Sequence, residues 1–243
     1  MPAIAIEICI GCTGPHLLQA DCAAAFDGGA ASVELCRDMA LQGLTPQIAD
    51  LRIARRHFPR TGLFPMIRPR AGDFDYSPAE IAVMGEQIAM AAGEGADGVV
   101  FGVVRDGKLP LAALETLFAA ARGRGLRTTF HRAFDALDDH VAGLEGLIAL
   151  GADRIMTSGK PWGSGASAAD GAVRLAQLID QAGPRVEIVL GGGIGAAMMP
   201  GLLHQLPLSR GRVSAHAYGA VLSGTAVDAR KVAALVQAAQ ILA

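Results

Sequence analysis

The sequence predicts an α/β fold, a closed (β/α)8 TIM barrel forming a single domain over residues 1–243. Three observations predict it. Short apolar runs alternate with longer helical stretches eight times along the chain, as strand–helix pairs of a parallel sheet do. A glycine punctuation recurs in Gly29-Ala30-Ala31-Ser32-Val33, Gly95-Ala96-Asp97-Gly98-Val99 and Gly151-Ala152-Asp153-Arg154-Ile155. Each copy closes a helix and launches a strand. No linker separates the units, which favours one closed barrel. An open doubly wound sheet is the competitor, but the first turn, Gly11-Cys12-Thr13-Gly14-Pro15, lacks the dinucleotide-binding spacing.

The elements follow in order. Ala3 to Ile10 is the first strand, and His16 to Phe26 is an alanine-rich helix stopped by Gly28-Gly29. Ser32 to Cys36 is the second strand, and Gln47 to His57 a helix after Thr45-Pro46. Leu63 to Ile67 is the third strand; Ser77-Pro78-Ala79-Glu80 is a capping box that opens a helix to about Gly93. Gly98–Val103, Arg127–His131, Arg154–Thr157, Val186–Leu190 and Arg212–Ala215 are the later strands. Their helices are Leu111–Arg122, Asp138–Leu150, Ala168–Gln181, Ala196–Gln205 and Asp228–Leu242.

Composition narrows the function. Net charge is −2 and basic residues are scattered, which argues against nucleic acid as the main partner. The first residues show neither a basic n-region nor a long apolar run, so no signal peptide or membrane span is expected and the location is read as cytoplasmic. There the four cysteines, Cys9, Cys12, Cys22 and Cys36, should be thiols. Burial as small hydrophobes is their commonest fate, and a metal site the sharper alternative.

In a barrel the working face is the C-terminal end of the strands. Collecting polar residues there gives Glu7, Cys9, Glu34, Cys36, Arg68, Arg70, Asp73, His131, Arg132, Asp135, Thr157 and Ser158, with His216 following the eighth strand. Arg68 and Arg70 lie two apart, so an extended chain through Pro69 would aim both guanidinium groups to one side as an anion clamp. Glu7 or Glu34 is a candidate base, with His131 as acid partner and Asp135 beside it. The same carboxylates would equally serve to neutralise Arg68 and Arg132 inside the barrel. Gly191-Gly192-Gly193 follows the seventh strand, where such barrels often hold phosphate on backbone amides; glycine also merely terminates strands. Cys9 and Cys36 end adjacent strands, and two thiolates suit a soft ion such as Cu(I). Cys9 and Cys12 have Cys-x-x-Cys spacing without a second pair downstream, which argues against structural zinc. Trp162 lies after the sixth strand as a lid or rim shield. Lys160, one of three lysines, is the one near the mouth, so imine chemistry would rest on it alone.

Glu7-Ile8-Cys9, Val33-Glu34-Leu35-Cys36, Gln42-Gly43-Leu44-Thr45-Pro46, Met66-Ile67-Arg68-Pro69-Arg70-Ala71-Gly72-Asp73-Phe74, Gly95 to Gly102, Thr129-Phe130-His131-Arg132-Ala133-Phe134-Asp135 and Thr157-Ser158-Gly159 together resemble the CutC copper homeostasis family. The resemblance runs in order from Glu7 to about His216. It implies a cytosolic TIM barrel that self-associates, a link to copper tolerance, and Cu(I) binding with Cys9 and Cys36 as the candidate ligands. The motif positions also look like an enzyme's mouth. The sequence departs from the family at the extra Cys12 and at Ser214-Ala215-His216-Ala217-Tyr218, which fits the family's histidine motif loosely. Three readings stand: a copper-handling protein, a barrel lyase or isomerase acting on a phosphorylated or carboxylated small molecule, and a non-catalytic binding barrel.

Overall fold

Parallel strands are covered on both faces, and the strands of this chain are buried along nearly their whole length. The computed structural model describes residues 4–240. Eight strands form one sheet: β1 (Ala5–Gly11), β2 (Ser32–Cys36), β3 (Leu63–Pro65), β4 (Gly98–Phe101), β5 (Arg127–Phe130), β6 (Arg154–Thr157), β7 (Glu187–Leu190) and β8 (Arg212–Ala217). Neighbours run β3-β2-β1-β8-β7-β6-β5-β4. A parallel bridge between Met66 and Val100 joins the two ends, with Ile67 N–H donating to Val100 O at 2.7 Å. The result is the (β/α)8 barrel in one domain.

The covering helices are α1 (Pro15–Asp27), α2 (Ile48–His57), α3 (Pro78–Gly93), α4 (Leu111–Arg122), α5 (His140–Leu150), α6 (Ala172–Ala182), α7 (Met199–Leu203) and α8 (Ala229–Ala238). Ala3 and Leu242, the expected outer ends of the first strand and last helix, lie outside the described residues. Helix α3 starts where its capping box predicts: Glu80 N–H donates to Ser77 Oγ, and Ser77 N–H to Glu80 Oε2 at 2.7 Å. Its buried face, Ile81, Met84, Ile88 and Ala91, recurs at helical spacing against the sheet. Helix α6 begins later than expected, because residues before it are held as a loop by Ala168 N–H on Gly192 O. Helix α7 is shorter than expected. A two-stranded hairpin, β9 (Leu222–Ser223) with β10 (Ala226–Val227), was not foreseen; Asp21 of α1 accepts its Val227 N–H at 2.8 Å. No helix among the described residues is long and apolar enough to cross a membrane.

The glycine repeat has a mechanical reading. Gly29, Gly95 and Gly151 all have positive φ (87°, 79° and 83°), the left-handed turn that ends a helix before its strand. In the second and third copies the aspartate two residues on then fixes the neighbouring strand. Asp97 accepts Gly62 N–H and Leu63 N–H at 2.7 and 2.9 Å, and Asp153 accepts Thr128 N–H at 2.8 Å.

Alternation along each strand divides the side chains between two environments. Outward residues such as Ile6, Ile8, Ile10, Val33 and Leu35 meet the helices in the main apolar core. Inward residues fill the barrel in levels. At the N-terminal end Arg154 donates to Glu7 Oε2 at 2.7 Å and lies 3.3 Å from Glu187 Oε1, all within the wall. Above it Phe64 packs with Cys9, Cys36, Met66 and Val100 in a small separate cluster, while its ring faces the Arg154 guanidinium at 4.8 Å. Gly98 leaves room for that ring, since a Cβ there would stand 2.3 Å from Phe64 Cε1.

Candidate functional site: a sulfur-lined cavity at the barrel mouth

Above Phe64 the strand ends enclose a cavity of about 280 Å³. Strand β1 supplies Cys9, β2 supplies Glu34 and Cys36, and Met66 and Arg68 follow β3. His131 and Arg132 follow β5, Met156 lies on β6 and His216 on β8. Met39, Phe74 and Trp162 close the rim from loops.

The two thiols face each other, with Sγ atoms 3.9 Å apart. Their exposures are 2% and 1%. Cys36 Sγ lies 3.6 Å from Glu34 Oε2. Among the described residues, Cys9, Glu34 and Cys36 form a group whose ligand atoms all lie within 4.8 Å of one another. The contact with Cys9 and then burial push the Cys36 thiol well above its ordinary pKa. The cysteines are free thiols. Cys12 is half-buried, its thiol pushed up chiefly by burial, and its side chain packs into the outer core. Cys22 is buried in α1, where desolvation pushes it up to about 12.

His216 Nε2 and Glu34 Oε2 are 2.8 Å apart. Burial alone would lower the imidazole pKa; the Glu34 charge, with Cys9 and Glu34 as hydrogen-bond acceptors, holds it well above the ordinary value instead. The reverse holds for Glu34, where burial would raise the pKa and the His216 charge brings it below the usual carboxylate range. The loosely matching histidine motif therefore places a residue in the cavity wall.

His131 behaves differently. Its Nδ1 accepts Ala133 N–H at 3.0 Å, so its neutral form carries the proton on Nε2, which has no partner among the described residues. Burial and then the Arg68 charge push its pKa down to about 4. Gly102 makes space for the ring, for a Cβ there would come within 2.6 Å of it.

Several expected site residues are engaged differently or sit elsewhere. Arg68 and Arg70 do not converge. Arg68 is 2% exposed and donates to the carbonyls of Leu41, Gly43 and Gly72. Arg70 turns outward to Glu80 at 2.6 Å and Asp73 at 2.8 Å. Sheet hydrogen bonding runs as far as Ile67 N–H on Val100 O, and Arg68 N–H goes to Thr45 Oγ1 instead, so both arginines lie beyond the strand. Asp73 is exposed and pairs with Arg70 outside the cavity. Glu7 faces inward but at the opposite end of the barrel, paired with Arg154 rather than Arg68 or Arg132. Asp135 is buried under the rim as an acceptor for Arg132 Nε, Thr157 Oγ1, and both Ser158 N–H and Oγ–H. Thr157 and Ser158 thus turn toward Asp135.

A second cavity, about 340 Å³, adjoins the first past Arg132 and Trp162 and reaches Gly192 and Gly193. Gly191 instead packs over Met156, whose Sδ would be 3.4 Å from a Cβ. The Trp162 ring meets Phe74 edge-on at 5.1 Å and lies under the Arg132 guanidinium at 5.4 Å, so it forms the partition between the two cavities. Neither cavity is lined by a lysine. Sequence reasoning missed Met39, Met66 and Met156. Met66 shares strand parity with Arg68, and Met156 with Ser158, so alternation carried the signal for these two.

Fold and site define a (β/α)8 barrel protein with a buried, sulfur-rich cavity at its C-terminal mouth. The CutC family model matches residues 4–217, and the chain belongs to that family. A CutC protein of Bacteroides fragilis is 42% identical over 174 residues, 71% of this chain and 67% of the relative. One from Caulobacter vibrioides is 39% identical over 214 residues, 88% of this chain and 80% of the relative. A crystal structure of a CutC protein from Streptococcus agalactiae, named for copper homeostasis, superposes with a TM-score of 0.75 at 28% identity, covering 88% of this chain and 98% of that one.

Proposed function

We propose that this protein takes part in copper homeostasis by binding Cu(I) between Cys9 and Cys36 at the barrel mouth. The observation that carries the reading is the pair of buried sulfur atoms 3.9 Å apart on neighbouring strands. Two metal–sulfur bonds of about 2.3 Å reach across that gap, and soft thiolates select Cu(I) over hard cations. Binding displaces the thiol protons, so affinity falls with acid. Titration against a competing Cu(I) chelator tests it: Cys9→Ser and Cys36→Ser should each abolish tight binding. Unchanged affinity in both variants rejects the site. A cytoplasmic location and self-association accompany this reading as expectations from the family, the latter checked by sedimentation.

A second reading is a barrel lyase or isomerase for a phosphorylated or carboxylated small molecule. His131 favours it, as a neutral imidazole with an unpartnered buried N–H beside the Glu34–His216 pair. The anion would lie against Arg132, Gly192 and Gly193 in the adjoining cavity. Assaying His131→Ala and Arg132→Ala against a panel of sugar phosphates and oxo acids tests it; turnover that neither change affects, or no turnover by the parent protein, removes it.

A further inference from the structure

We infer that the third ligand of the soft-metal site is the thioether of Met39, and that this side chain passes the ion between the rim and the two thiols. The inference rests on Cu(I) binding at Cys9 and Cys36 and specifies how the site is completed and reached.

Met39 opens a single 3₁₀ turn, Met39–Leu41, directly after β2. Asp38 and Gln42 flank it with φ of 51° and 66°, two non-glycine residues in the left-handed region. Such strain persists only where surrounding structure over-determines it, and it gathers at ligand sites. Here the surroundings are a buried cation and a short bridge. Arg68 Nη1 donates to Leu41 O at 2.8 Å and Gly43 O at 3.1 Å, while Arg37 and Leu44 exchange backbone hydrogen bonds across the base of the turn. The guanidinium expected to clamp an anion is engaged in pinning this turn.

What the turn holds in place is the Met39 side chain. Its Cγ lies 3.0 Å from where a Cβ of Gly11 would be. Gly11 pairs with Cys36 in the sheet and follows Cys9 by two residues, on the same inward face. Met39 therefore descends through the space that Gly11 leaves, above Cys9 and beside Cys36. It packs against the cluster that contains both cysteines and lines their cavity.

The alternatives for a third ligand fit less well. Glu34 offers a hard oxygen already engaged by His216 at 2.8 Å, whereas Cu(I) favours sulfur. Met156 lies under Gly191 on the β7 side. Met66 is 6% exposed and seated in the wall. Met39 is half-buried, so it meets solvent and cavity together, and its unbranched thioether can move between them.

The test uses the full-length protein loaded with Cu(I) under reducing conditions. X-ray absorption of the parent should count three sulfur neighbours, and Met39→Leu, which keeps the volume and apolar character, should count two. Cu(I) affinity by chelator competition should fall on the order of tenfold or more in Met39→Leu, with an unaltered thermal melt. Gly11→Ala, which displaces Met39 without removing a ligand, should weaken binding in the same direction, and Met90→Leu, on α3 and outside the cavity lining, should not. Two sulfurs in the parent, unchanged affinity in Met39→Leu, or a loss confined to Met66→Leu overturns the inference while leaving the two-thiol site intact. No Cu(I) binding by the parent overturns both.

Discussion

The Glu34 carboxylate and the His216 imidazole meet 2.8 Å apart although their strands, β2 and β8, are separated by β1. In the sheet register Cys9 of β1 pairs with Glu34, and Glu7 pairs with His216. The charged pair therefore bridges over β1 at the level where Cys9 projects. It sets a fixed dipole beside the thiols.

Removing one member should leave the other charge buried. Glu34→Gln is expected to destabilise the fold by roughly 3 kcal/mol near pH 6, the range for breaking a buried pair. The pH dependence has two limbs. The raised His216 pKa contributes stability that is complete below its unfolded value of 6.5 and fades as pH rises toward the folded value. The lowered Glu34 pKa contributes stability that is complete above 4.5 and fades as pH falls. Urea unfolding of parent and variant across pH should thus show the largest gap between about 4.5 and 6.5, narrowing on both sides; a gap independent of pH rejects the ion pair.

His131 should make the fold acid-sensitive in a narrower window. Its folded pKa of about 4 lies below the unfolded 6.5, so the unfolded chain binds more protons between these values. Stability is then complete above about pH 6.5 and lost as pH falls toward 4, by on the order of 3 kcal/mol. His131→Gln should flatten that part of the curve. NMR titration of the imidazole provides the direct check, and a midpoint near 6.5 contradicts the burial argument.

At the other end of the barrel, Glu7→Gln should cost stability and leave metal binding alone. Arg154 would lose the charge of its 2.7 Å partner and keep Glu187 at 3.3 Å as its carboxylate, with Thr129 Oγ1 at 3.2 Å. A loss of roughly 2–3 kcal/mol is expected, below the full cost of an unpaired buried charge. Denaturation midpoints and Cu(I) competition on one preparation separate the two effects; a change in affinity at equal stability would count against this placement.

Asp135→Asn should loosen the rim rather than abolish a reaction step. The carboxylate accepts from Arg132, Thr157 and Ser158, and an amide cannot accept from all of them with both ends. About 2 kcal/mol of destabilisation is expected, together with faster quenching of Trp162 fluorescence, because the Trp162 backbone N–H is held at 2.8 Å by the Asp135 backbone carbonyl, which the carboxylate's bonds help fix in place. Unaltered quenching would show that the lid does not depend on this anchor.

Much of the fold was legible because its signals are local. The positive-φ glycines at 29, 95 and 151 mark helix ends from sequence, and the Ser77–Glu80 box marks a helix start. Strand parity likewise brought Cys9, Cys36 and Glu34 to one face. Parity does not give height, which depends on how neighbouring strands are staggered around the barrel. Glu7 accordingly faces inward as expected and yet lies below Phe64, with Arg154. Arg70 was misread for another reason: a two-residue offset implies a common side only within a strand, and sheet bonding stops at Ile67. The Asp38 and Gln42 turn that carries Met39 follows from tertiary bonds to Arg68, which no local pattern announces.

Phe64 and the Glu7–Arg154–Glu187 group beneath it make the barrel a blind well. Traffic through it has one doorway, so a guest must leave by the route it entered. If the well holds Cu(I) as proposed, delivery and retrieval would compete for the same threshold, and a donor and a recipient would have to take turns at the side where Met39 and Trp162 stand.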